Sequence, residues 1–331
     1  MRVAVDVGYG WTKAVAEDGG RVSFPSVLAP YSSPGGSLSE FGFRGEGQVV
    51  TVGGVEQNET YLFGNDALHN RAAFRPWDSR ASERKGYDLL LYAALAHLMP
   101  MGGEVDLSLG LPMGEFEIQQ MDLKVRFRGS STFVAIGSLL PVPFTIRKVV
   151  VLPQAMGAFL AMATDPSIGK GPYLVVDVGM RTTDFFVVER RQDGLHARKD
   201  ISDSLEMGCA AFYDMVQAAA QEMTGAILSR ERDVEVAIED GGVLSHRGRQ
   251  YDLVPAIERS KSRIGTLITS QVRERIGDEW DRMGAVLVVG GGADLVRESI
   301  TKAHSNVLTP QDPVFANAQG FLSVLGAAHL A

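Results

Sequence analysis

The chain has 331 residues, of which 45% are hydrophobic and 22% are charged, and its formal net charge is -8. This length is sufficient for two domains with buried cores, and the composition is that of a globular protein. The negative charge argues against direct binding of nucleic acid by the whole surface. Cys209 is the single cysteine, so an intrachain disulfide is excluded and a reducing compartment is expected.

No segment of the sequence has the pattern of a targeting or membrane-spanning segment. The first ten residues, MRVAVDVGYG, are too short and too acidic for a signal peptide. The longest apolar stretch, residues 89–101, contains His97 and Pro100 and is too short to cross a bilayer. The histidines and the cysteine are not spaced as metal ligands. We therefore expect a cytoplasmic protein without a membrane partner.

The N-terminal half is predicted to form a lobe that begins with a β-hairpin. Residues 3–15 contain two apolar runs joined by a polar turn with glycine, which is typical of a hairpin, and Asp6 ends the first run. Residues 23–80 are rich in Gly and Ser in their central part and are predicted to form a small, loop-rich insert. The apolar pattern further predicts strands at 22–28, 49–52, 105–109 and 145–152, a buried helix at 83–99 and a strand pair at 124–136.

The same hairpin pattern returns in the second half of the chain. Residues 173–178 form an apolar run that contains Asp177, and a glycine turn leads to a second run at 185–188. The turn offers backbone N–H groups, two hydroxyls and a carboxylate, which suit phosphate and a hydrated cation. A third glycine turn, residues 290–292, follows the apolar run 285–289. The repetition predicts two related lobes that close on one phosphorylated ligand.

The rest of the second half alternates between helix and strand. Pro153 is expected in the first turn of a helix over 153–164. Residues 229–276 are expected to be largely helical, with breaks near 241–242 and 247–250. Further elements are predicted as strands at 195–201 and 306–308 and helices at 207–224, 294–303 and 317–329. This alternation predicts an α/β fold. We assign residues 1–152 to lobe I, to which 317–331 return, and 153–316 to lobe II, with an outer subdomain at 205–275.

Five motifs in order resemble those of the actin, sugar-kinase and chaperone-ATPase superfamily. They are residues 6–13 and 177–184 for two phosphate loops, 153–158 and 315–321 for two connections, and 288–293 for a nucleoside loop. Within the superfamily the chain is similar to the plasmid-segregation ParM branch, as residues 110–112 also indicate, and to the Thermoplasma-type archaeal actins. The resemblance implies a two-lobed, actin-like (ribonuclease H-like) α/β fold with a nucleotide cleft between the lobes.

The resemblance also implies a binding site for ATP or ADP with Mg²⁺, and GTP stays open as an alternative. The implied phosphate-binding residues are Gly8, Tyr9, Gly10, Trp11, Thr12 and Lys13 in the first loop and Gly179, Met180, Arg181, Thr182 and Thr183 in the second. Asp6 and Asp177 are implied to hold the metal ion through water. Lys13 is either a β-phosphate contact or a solvated hairpin lysine, and which of Thr182 and Thr183 contacts phosphate is open.

The nucleoside-binding residues and the catalytic residues follow from the same resemblance. The implied nucleoside contacts are Glu206, Gly208, Lys261, Arg263, Gly290, Gly291, Gly292 and Ala293. An alternative places Lys261 and Arg263 on a solvated helix face. The implied catalytic residues are Asp177 and Gln154, which is the residue that orients the attacking water. Glutamine is a poor general base, so slow hydrolysis is expected.

Three functions compete at this point. The favoured one is a nucleotide-driven, polymerising actin-like protein in DNA segregation or cytoskeletal organisation, with a DNA-binding adaptor as its link to DNA. A small-molecule kinase of the same superfamily would need a carboxylate base for a substrate hydroxyl, and the insert shows none that stands out. A non-polymerising, chaperone-like ATPase is the third, and the chain, which ends near its closing helix, is expected to lack a substrate-binding tail.

Overall fold

The computed structural model describes residues 1–31, 48–53, 58–68, 70–76, 80–137, 139–163, 165 and 168–326. The chain forms two compact units. Unit 1 comprises Met1–Leu111, Glu115–Leu152 and Ala318–Ala331, and unit 2 comprises Pro112–Gly114 and Pro153–Asn317. Part of the predicted insert, residues 32–47, 54–57, 69 and 77–79, lies outside the described residues.

Unit 1 is built on a β-sheet that contains nine strands within the described part of the chain. They are β1 (Arg2–Val7), β2 (Trp11–Ala16), β3 (Arg21–Pro25), β4 (Leu28–Pro30), β5 (Val49–Gly53), β6 (Asn58–Phe63), β7 (Gly103–Leu111), β8 (Ser131–Ile136) and β9 (Val142–Pro153). Their order across the sheet is β3-β2-β1-β7-β9-β8-β5-β6-β4. The strands β1 and β2 form an antiparallel hairpin, and β1 pairs in parallel with β7.

In the described part of the first half of the chain, three helices belong mainly to unit 1: α1 (Gly64–Leu68), α2 (Arg80–Leu98) and α3 (Met113–Phe127). The helix α2 packs against β1, β2, β3, β5 and β8. Leu90, Leu91 and Leu95 of this helix are fully buried, so its apolar side chains form much of the core of unit 1. The predicted hairpin at 3–15, the buried helix and the strands at 49–52, 105–109 and 145–152 are confirmed.

Two sequence-based predictions in unit 1 are wrong in part. The strand pair at 124–136 is the end of α3 followed by the single strand β8. Leu123 and Phe127 are buried four residues apart, which is the spacing of a helix face. The predicted strand at 22–28 is interrupted at Ser26, whose N–H leaves the sheet and donates to the Gly10 carbonyl (2.9 Å).

Unit 2 contains a second sheet and a separate hairpin. The strands are β10 (Gly171–Val178), β11 (Thr183–Arg191), β12 (Gly194–Ala197), β13 (Asp203–Leu205), β14 (Val243–His246), β15 (Arg249–Asp252), β16 (Ala285–Val289) and β17 (Val307–Leu308). The order across the sheet is β12-β11-β10-β16-β17, and β13 also pairs with β11. The hairpin consists of β14 and β15. The helices are α4 (Met156–Met162), α5 (Cys209–Thr224), α6 (Val236–Glu239), α7 (Val254–Ile276) and α8 (Ala293–Ala303). The last helix, α9 (Ala316–Gly326), begins in unit 2 and lies mainly in unit 1.

The two faces of the unit 2 sheet bury alternate residues of β10, as the period of a strand requires. Leu174 and Val176 lie in a core cluster with side chains of α5, α7 and α8. Tyr173 and Val175 lie in a separate cluster with Phe159 of α4. Asp177 continues the second series, and this periodicity directs its carboxylate to the face that carries α4.

The predicted strands at 173–178, 185–188 and 285–289 and the helices at 207–224 and 294–303 are confirmed, with small shifts of their ends. The helix expected over 153–164 begins at Met156, because Pro153 ends β9 and residues 154–155 form a turn. The strand expected at 195–201 ends at Ala197 and is followed by a 3₁₀ turn at Lys199–Ile201.

The outer part of unit 2 is less helical than predicted. Residues 229–276 include a π-helical segment (Arg230–Glu235), the short α6, the β14–β15 hairpin and α7. The C-terminal helix was predicted at 317–329, and residues 327–329 of that range lie outside the described residues. Among the helices that the structure describes, none is both long and apolar enough to cross a membrane.

Candidate functional site

The turn between β1 and β2 carries the first group of predicted site residues. Asp6 lies at the end of β1, is 3% exposed, and is paired in register with Lys13 on β2. The Gly8 N–H donates to the Trp11 carbonyl (3.2 Å), which closes the β1–β2 hairpin and leaves residues 9 and 10 as its bend. A Cβ atom at Gly8 would lie 3.0 Å from the same carbonyl, which is why glycine suits this position.

Neighbouring segments of unit 1 hold this turn in place. The Gly10 carbonyl accepts from the Ser26 N–H (2.9 Å) and from Arg75 Nη1 (3.2 Å). The Thr12 hydroxyl is fully buried and shares a hydrogen bond with the Ser26 hydroxyl (2.9 Å). The Tyr9 hydroxyl donates to Glu115 Oε1 (2.8 Å). The Trp11 side chain, by contrast, is 42% exposed. The turn is therefore a fixed structure with one large aromatic side chain in contact with solvent.

The turn between β10 and β11 repeats this geometry in unit 2. The Gly179 N–H donates to the Thr182 carbonyl (2.8 Å), so residues 179–182 close the β10–β11 hairpin in the same way as residues 8–11 close the β1–β2 hairpin. Asp177 lies two residues before this glycine, as Asp6 lies two residues before Gly8. The residue on the opposite strand differs between the two hairpins. Asp177 is paired with Asp184, whereas Asp6 is paired with Lys13. The second turn therefore carries two carboxylates on adjacent strands.

Asp184 is a buried carboxylate with three hydrogen-bond donors. Its Oδ1 accepts from the Met113 N–H (2.7 Å) and from the Ser204 hydroxyl, and its Oδ2 accepts from the Thr182 hydroxyl (3.2 Å). Burial raises the pKa of Asp184 to about 7, and the charge of Asp177 adds to this rise, while the hydrogen bonds oppose it. The pair can therefore hold a proton near neutral pH when no cation is bound.

The glycine turn at 290–292 packs directly against Asp177. Gly290 has φ +87°, and a Cβ atom there would collide with Asp177 Oδ1 and with the Val178 carbonyl. The Gly292 N–H donates to the Val178 carbonyl (2.9 Å), and Ala293 begins α8. Gly291 lies between them with open space where its Cβ would be. The third motif of the sequence is thus fixed beside the turn at residues 179–182.

The segment before α5 also contacts the second turn. The Cys209 N–H donates to the Gly179 carbonyl (3.0 Å), and the Ala210 N–H donates to the Met180 carbonyl (2.7 Å). Gly208 approaches these carbonyls so closely that a Cβ atom would lie 2.5 Å from the Gly179 oxygen. Nearby, the Thr183 hydroxyl donates to the Met207 carbonyl (2.7 Å), and Arg181 forms an exposed ion pair with Glu206 (3.3 Å).

The structure places the other two predicted nucleoside contacts on α7. Lys261 is close enough to Glu298 of α8 to contribute, after Lys302, to lowering the pKa of that carboxyl. Arg263 is exposed on the same helix. The contacts that hold the second turn come instead from residues 206–210 and 290–292. Whether α7 contacts a nucleoside stays a prediction.

Gln154 lies in the short turn between β9 and α4. The Met156 N–H donates to the Gln154 carbonyl (2.7 Å), which closes a three-residue γ-turn centred on Ala155. Ala155 has φ 63° and ψ -43° and is fully buried. This positive-φ type of γ-turn is rare and strained, and such a backbone conformation costs about 1–3 kcal/mol. The surrounding structure must therefore hold the turn that carries Gln154.

Asn317 supplies contacts to this turn. Its Oδ1 accepts from the N–H groups of Ala155 and Ala158 (both 3.1 Å), and its Nδ2 donates to Asp177 Oδ2 (2.5 Å). Asn317 and Ser204 were not among the predicted site residues, and Asp184 was included only as the carboxylate that the second turn offers. Asn317 lies in the quoted motif 315–321, and Asp184 is part of the quoted motif 177–184, so position in a motif was the available signal.

The aspartates of the two turns are the candidate partners of a hydrated Mg²⁺. No group of three His, Cys, Asp or Glu side chains that could hold a metal occurs among the residues searched, which are those that the structure describes. Mg²⁺ commonly keeps several waters and binds through one or two carboxylates together with substrate phosphates. Asp177, with Asp184 on the adjacent strand, offers the acceptors for that arrangement in unit 2, and Asp6 offers one in unit 1.

Two family models match successive parts of the chain. Residues 4–157 match the N-terminal domain of actin like proteins, and residues 175–302 match the C-terminal domain of the archaeal actin homologue, MreB-like. An archaeal actin homologue of Thermoplasma acidophilum is 25% identical over 331 residues, which cover 96% of this chain and 97% of that protein. The homologue of Thermoplasma volcanium is 24% identical over 327 residues, with the same coverages.

Solved structures share the fold over nearly the whole chain. A 15-stranded ParM filament from Clostridium botulinum has a TM-score of 0.85 at 21% identity and covers 98% of both chains. An archaeal actin homologue in complex with ADP has a TM-score of 0.82 at 22% identity and covers 98% of this chain and 99% of that chain. These matches confirm the predicted α/β, actin-like fold. The two family models together match residues 4–157 and 175–302, so the chain belongs to the actin-like proteins.

Proposed function

We propose that this protein is a nucleotide-dependent, polymerising actin-like protein that binds and slowly hydrolyses ATP or GTP with Mg²⁺. The observation that carries the proposal is the pair of equivalent turns at 8–11 and 179–182, each two residues after a buried aspartate. The ADP complex of an archaeal actin homologue and the ParM filament support it, because both share the fold. The proposed role is DNA segregation or cytoskeletal organisation in the cytoplasm.

The two turns are proposed to bind the phosphates of the nucleotide. A hairpin bend with glycine at its first position lets a phosphate approach the backbone N–H groups closely. Lys13 is proposed to contact the β-phosphate, and Thr182 or Thr183 the γ-phosphate. The Thr183 hydroxyl already donates to the Met207 carbonyl, and the Thr182 hydroxyl to Asp184. Either hydroxyl would thus exchange an internal acceptor for a phosphate oxygen.

Asp6 and Asp177 are proposed to hold a hydrated Mg²⁺ through water. When bound, this ion would neutralise negative charge on the phosphate oxygens. The paired carboxylates of Asp177 and Asp184 favour a cation at the second turn, since burial and mutual repulsion raise the pKa of Asp184. Gly290, packed against Asp177 Oδ1, is proposed to form part of the nucleoside site together with Gly291, Gly292 and Ala293.

Gln154 is proposed to orient the water that attacks the γ-phosphate. Its turn is buried, strained and hydrogen-bonded to Asn317, so the residue is presented from a fixed backbone. A glutamine can position water without acting as a strong base, and slow hydrolysis follows. Slow hydrolysis suits a protein whose assembly is timed by its nucleotide.

The proposed partner is a second copy of the same chain. Nucleotide binding can favour assembly if the nucleotide binds the assembling conformation better. A heterologous contact that repeats without closure gives a filament. We propose that DNA is held by a separate DNA-binding adaptor, since the net charge is -8 and no basic stripe stands out in the sequence.

The test is pelleting with light scattering across a range of protein concentrations, checked by negative-stain microscopy. We expect filaments with Mg²⁺ and a non-hydrolysable ATP or GTP analogue and their loss with the diphosphate. The variant Asp177→Ala should not assemble at analogue concentrations that saturate the wild type, whereas Asp200→Ala, an exposed aspartate of the same unit, should assemble normally. A monomer in both nucleotide states would overturn polymerisation, and analogue binding without assembly would then favour a kinase or a chaperone-like ATPase.

A further inference from the structure

We propose that Asn317 is a positioning residue that links the Asp177 carboxylate to the turn presenting Gln154. The inference rests on the proposed function, because that function gives Asp177 and Gln154 their roles. Asn317 reaches both partners from a distant part of the sequence, since it is 140 residues from Asp177 and 162 residues from Ala155. The fold nevertheless joins them by three hydrogen bonds within unit 2.

The three hydrogen bonds fix the orientation of the Asn317 amide. The carbonyl oxygen faces two backbone donors, the N–H groups of Ala155 and Ala158. The NH₂ group faces an acceptor, Asp177 Oδ2. A flipped amide would place oxygen against the carboxylate and NH₂ against N–H groups, and all three bonds would be lost. Asn317 is also buried (6% exposed), so water cannot readily replace these partners.

The strain at Ala155 explains why the turn needs such a partner. An L-residue at φ 63° and ψ -43° is held away from its preferred conformations, and the Ala155 N–H is one of the groups that Asn317 binds. Without that bond, Ala155 is free to relax, and the neighbouring Gln154 changes its direction. Glycine at 155 would accept the same φ without the steric cost of a Cβ.

The amide is planar, so its two ends move together. A shift of the Asp177 carboxylate when cation and phosphate bind would be passed through Nδ2 and Oδ1 of Asn317 to the backbone of Ala155.

A purely structural explanation is that Asn317 serves to cap α4 and that its bond to Asp177 has no consequence. The two explanations differ in whether a substitution at Asp177 changes the stability of the backbone hydrogen bonds at residues 155–158.

The first experiment measures this link without nucleotide. Hydrogen exchange of a peptide spanning residues 153–160 is followed in the full-length wild type, in Asn317→Ala, in Asp177→Ala and in the double variant. We expect each single variant to accelerate the exchange of the amides of Ala155 and Ala158 at least about fivefold, and the double variant to exchange no faster than Asn317→Ala. The control Asn306→Ala, which removes an exposed asparagine that donates to the Gly284 carbonyl, should leave this peptide unchanged.

If the amides of Ala155 and Ala158 exchange in Asp177→Ala at the wild-type rate, the proposed link is overturned and Asn317 is only a cap of α4. The link would also be overturned if the exchange rate in the double variant rose by the product of the two single-variant increases. Asn317→Asp is a second variant that keeps an acceptor for the backbone N–H groups but places a carboxylate against Asp177. The amides of Ala155 and Ala158 should exchange more slowly in Asn317→Asp than in Asn317→Ala. The comparison separates the loss of the bonds to these amides from the loss of the bond to Asp177.

The second experiment measures ADP affinity and single-turnover hydrolysis in the same variants. Asn317→Ala should change the Kd for ADP by less than about threefold and lower the hydrolysis rate at least about tenfold. Adding Ala155→Gly, which removes the steric strain, should recover part of that rate. A proportional loss of affinity and rate, with no recovery, would overturn a positioning role. If the wild type binds no nucleotide, the proposed function fails, and the exchange experiment still decides whether the link exists.

Discussion

Replacing Asp184 with asparagine should stabilise unit 2 at pH 8 and have a much smaller effect near pH 4. Asp184 is 2% exposed, and burial together with the charge of Asp177 raises its pKa to about 7. Asparagine has nearly the same shape and keeps an acceptor for the Met113 N–H. The hydroxyls of Ser204 and Thr182 can rotate to accept from its NH₂ group. The variant therefore removes a costly buried charge and keeps the three hydrogen-bonding neighbours in place.

The direction of the pH dependence follows from the raised pKa. The folded protein holds the Asp184 proton more tightly than the unfolded chain, so this group stabilises the fold below about pH 4 and loses that contribution as the pH rises through about 7. A rise from 3.8 to about 7 corresponds to about 4 kcal/mol at pH 8, at 1.36 kcal/mol per pKa unit. Imperfect hydrogen bonding by asparagine reduces the gain, and we expect about 3 kcal/mol.

The assay is urea unfolding without metal or nucleotide, followed by the fluorescence of Trp280. This residue is buried in unit 2, and replacing Trp11 and Trp77 by phenylalanine leaves it as the single tryptophan of the three. Asp200→Asn serves as the control, because Asp200 is an exposed partner of Arg198. An equal effect of Asp184→Asn at pH 4.5 and pH 8, or destabilisation at pH 8, would refute the assignment of a raised pKa to Asp184.

Three further predictions concern the proposed nucleotide site. Gln154→Ala should keep the Kd for ADP within about threefold and slow phosphate release at least about tenfold, because the variant loses the group that positions water but loses no phosphate contact. An unchanged single-turnover rate would assign the positioning of water to another residue. Asp177→Ala should abolish the part of the ATP affinity that depends on Mg²⁺, and a Mg²⁺ titration as steep as that of the wild type would contradict this. Lys13→Ala should weaken ADP binding at least about tenfold if Lys13 contacts the β-phosphate, measured by calorimetry, whereas unchanged affinity would identify a solvated lysine.

The parts of the fold that were predicted correctly have strong local signals. The two hairpins have apolar runs on both sides of a glycine turn, and α2 has apolar residues at helical spacing over its length. The end of α3 was mistaken for a strand because Lys124 and Arg126 alternate with Val125 and Phe127. Over four residues that alternation has the period of a strand, whereas burial of Leu123 and Phe127 reveals a helix. The β14–β15 hairpin was missed because its strands are short and polar.

The candidate site was predictable where its parts lie in one turn. The aspartates and glycines of residues 6–10 and 177–179 are adjacent in sequence, so their pattern carried the prediction. The positive φ of Ala155 has no such signal, because alanine is not a residue that prefers this conformation. The bonds of Asn317 to Ala155 and Asp177 depend on tertiary structure, and no local pattern predicts them.

Nucleotide binding is the central claim, and thermal unfolding of the wild type with ATP, ADP or GTP, each with and without Mg²⁺, tests it most directly. We expect at least one purine nucleotide with Mg²⁺ to raise the melting temperature by an amount equivalent to about 3–4 kcal/mol at a ligand concentration of about 100 to 1,000 times Kd. The shift should be retained in Asp200→Ala and be much smaller in Asp6→Ala and Asp177→Ala. An unchanged melting temperature with all three nucleotides at millimolar concentration would contradict the account.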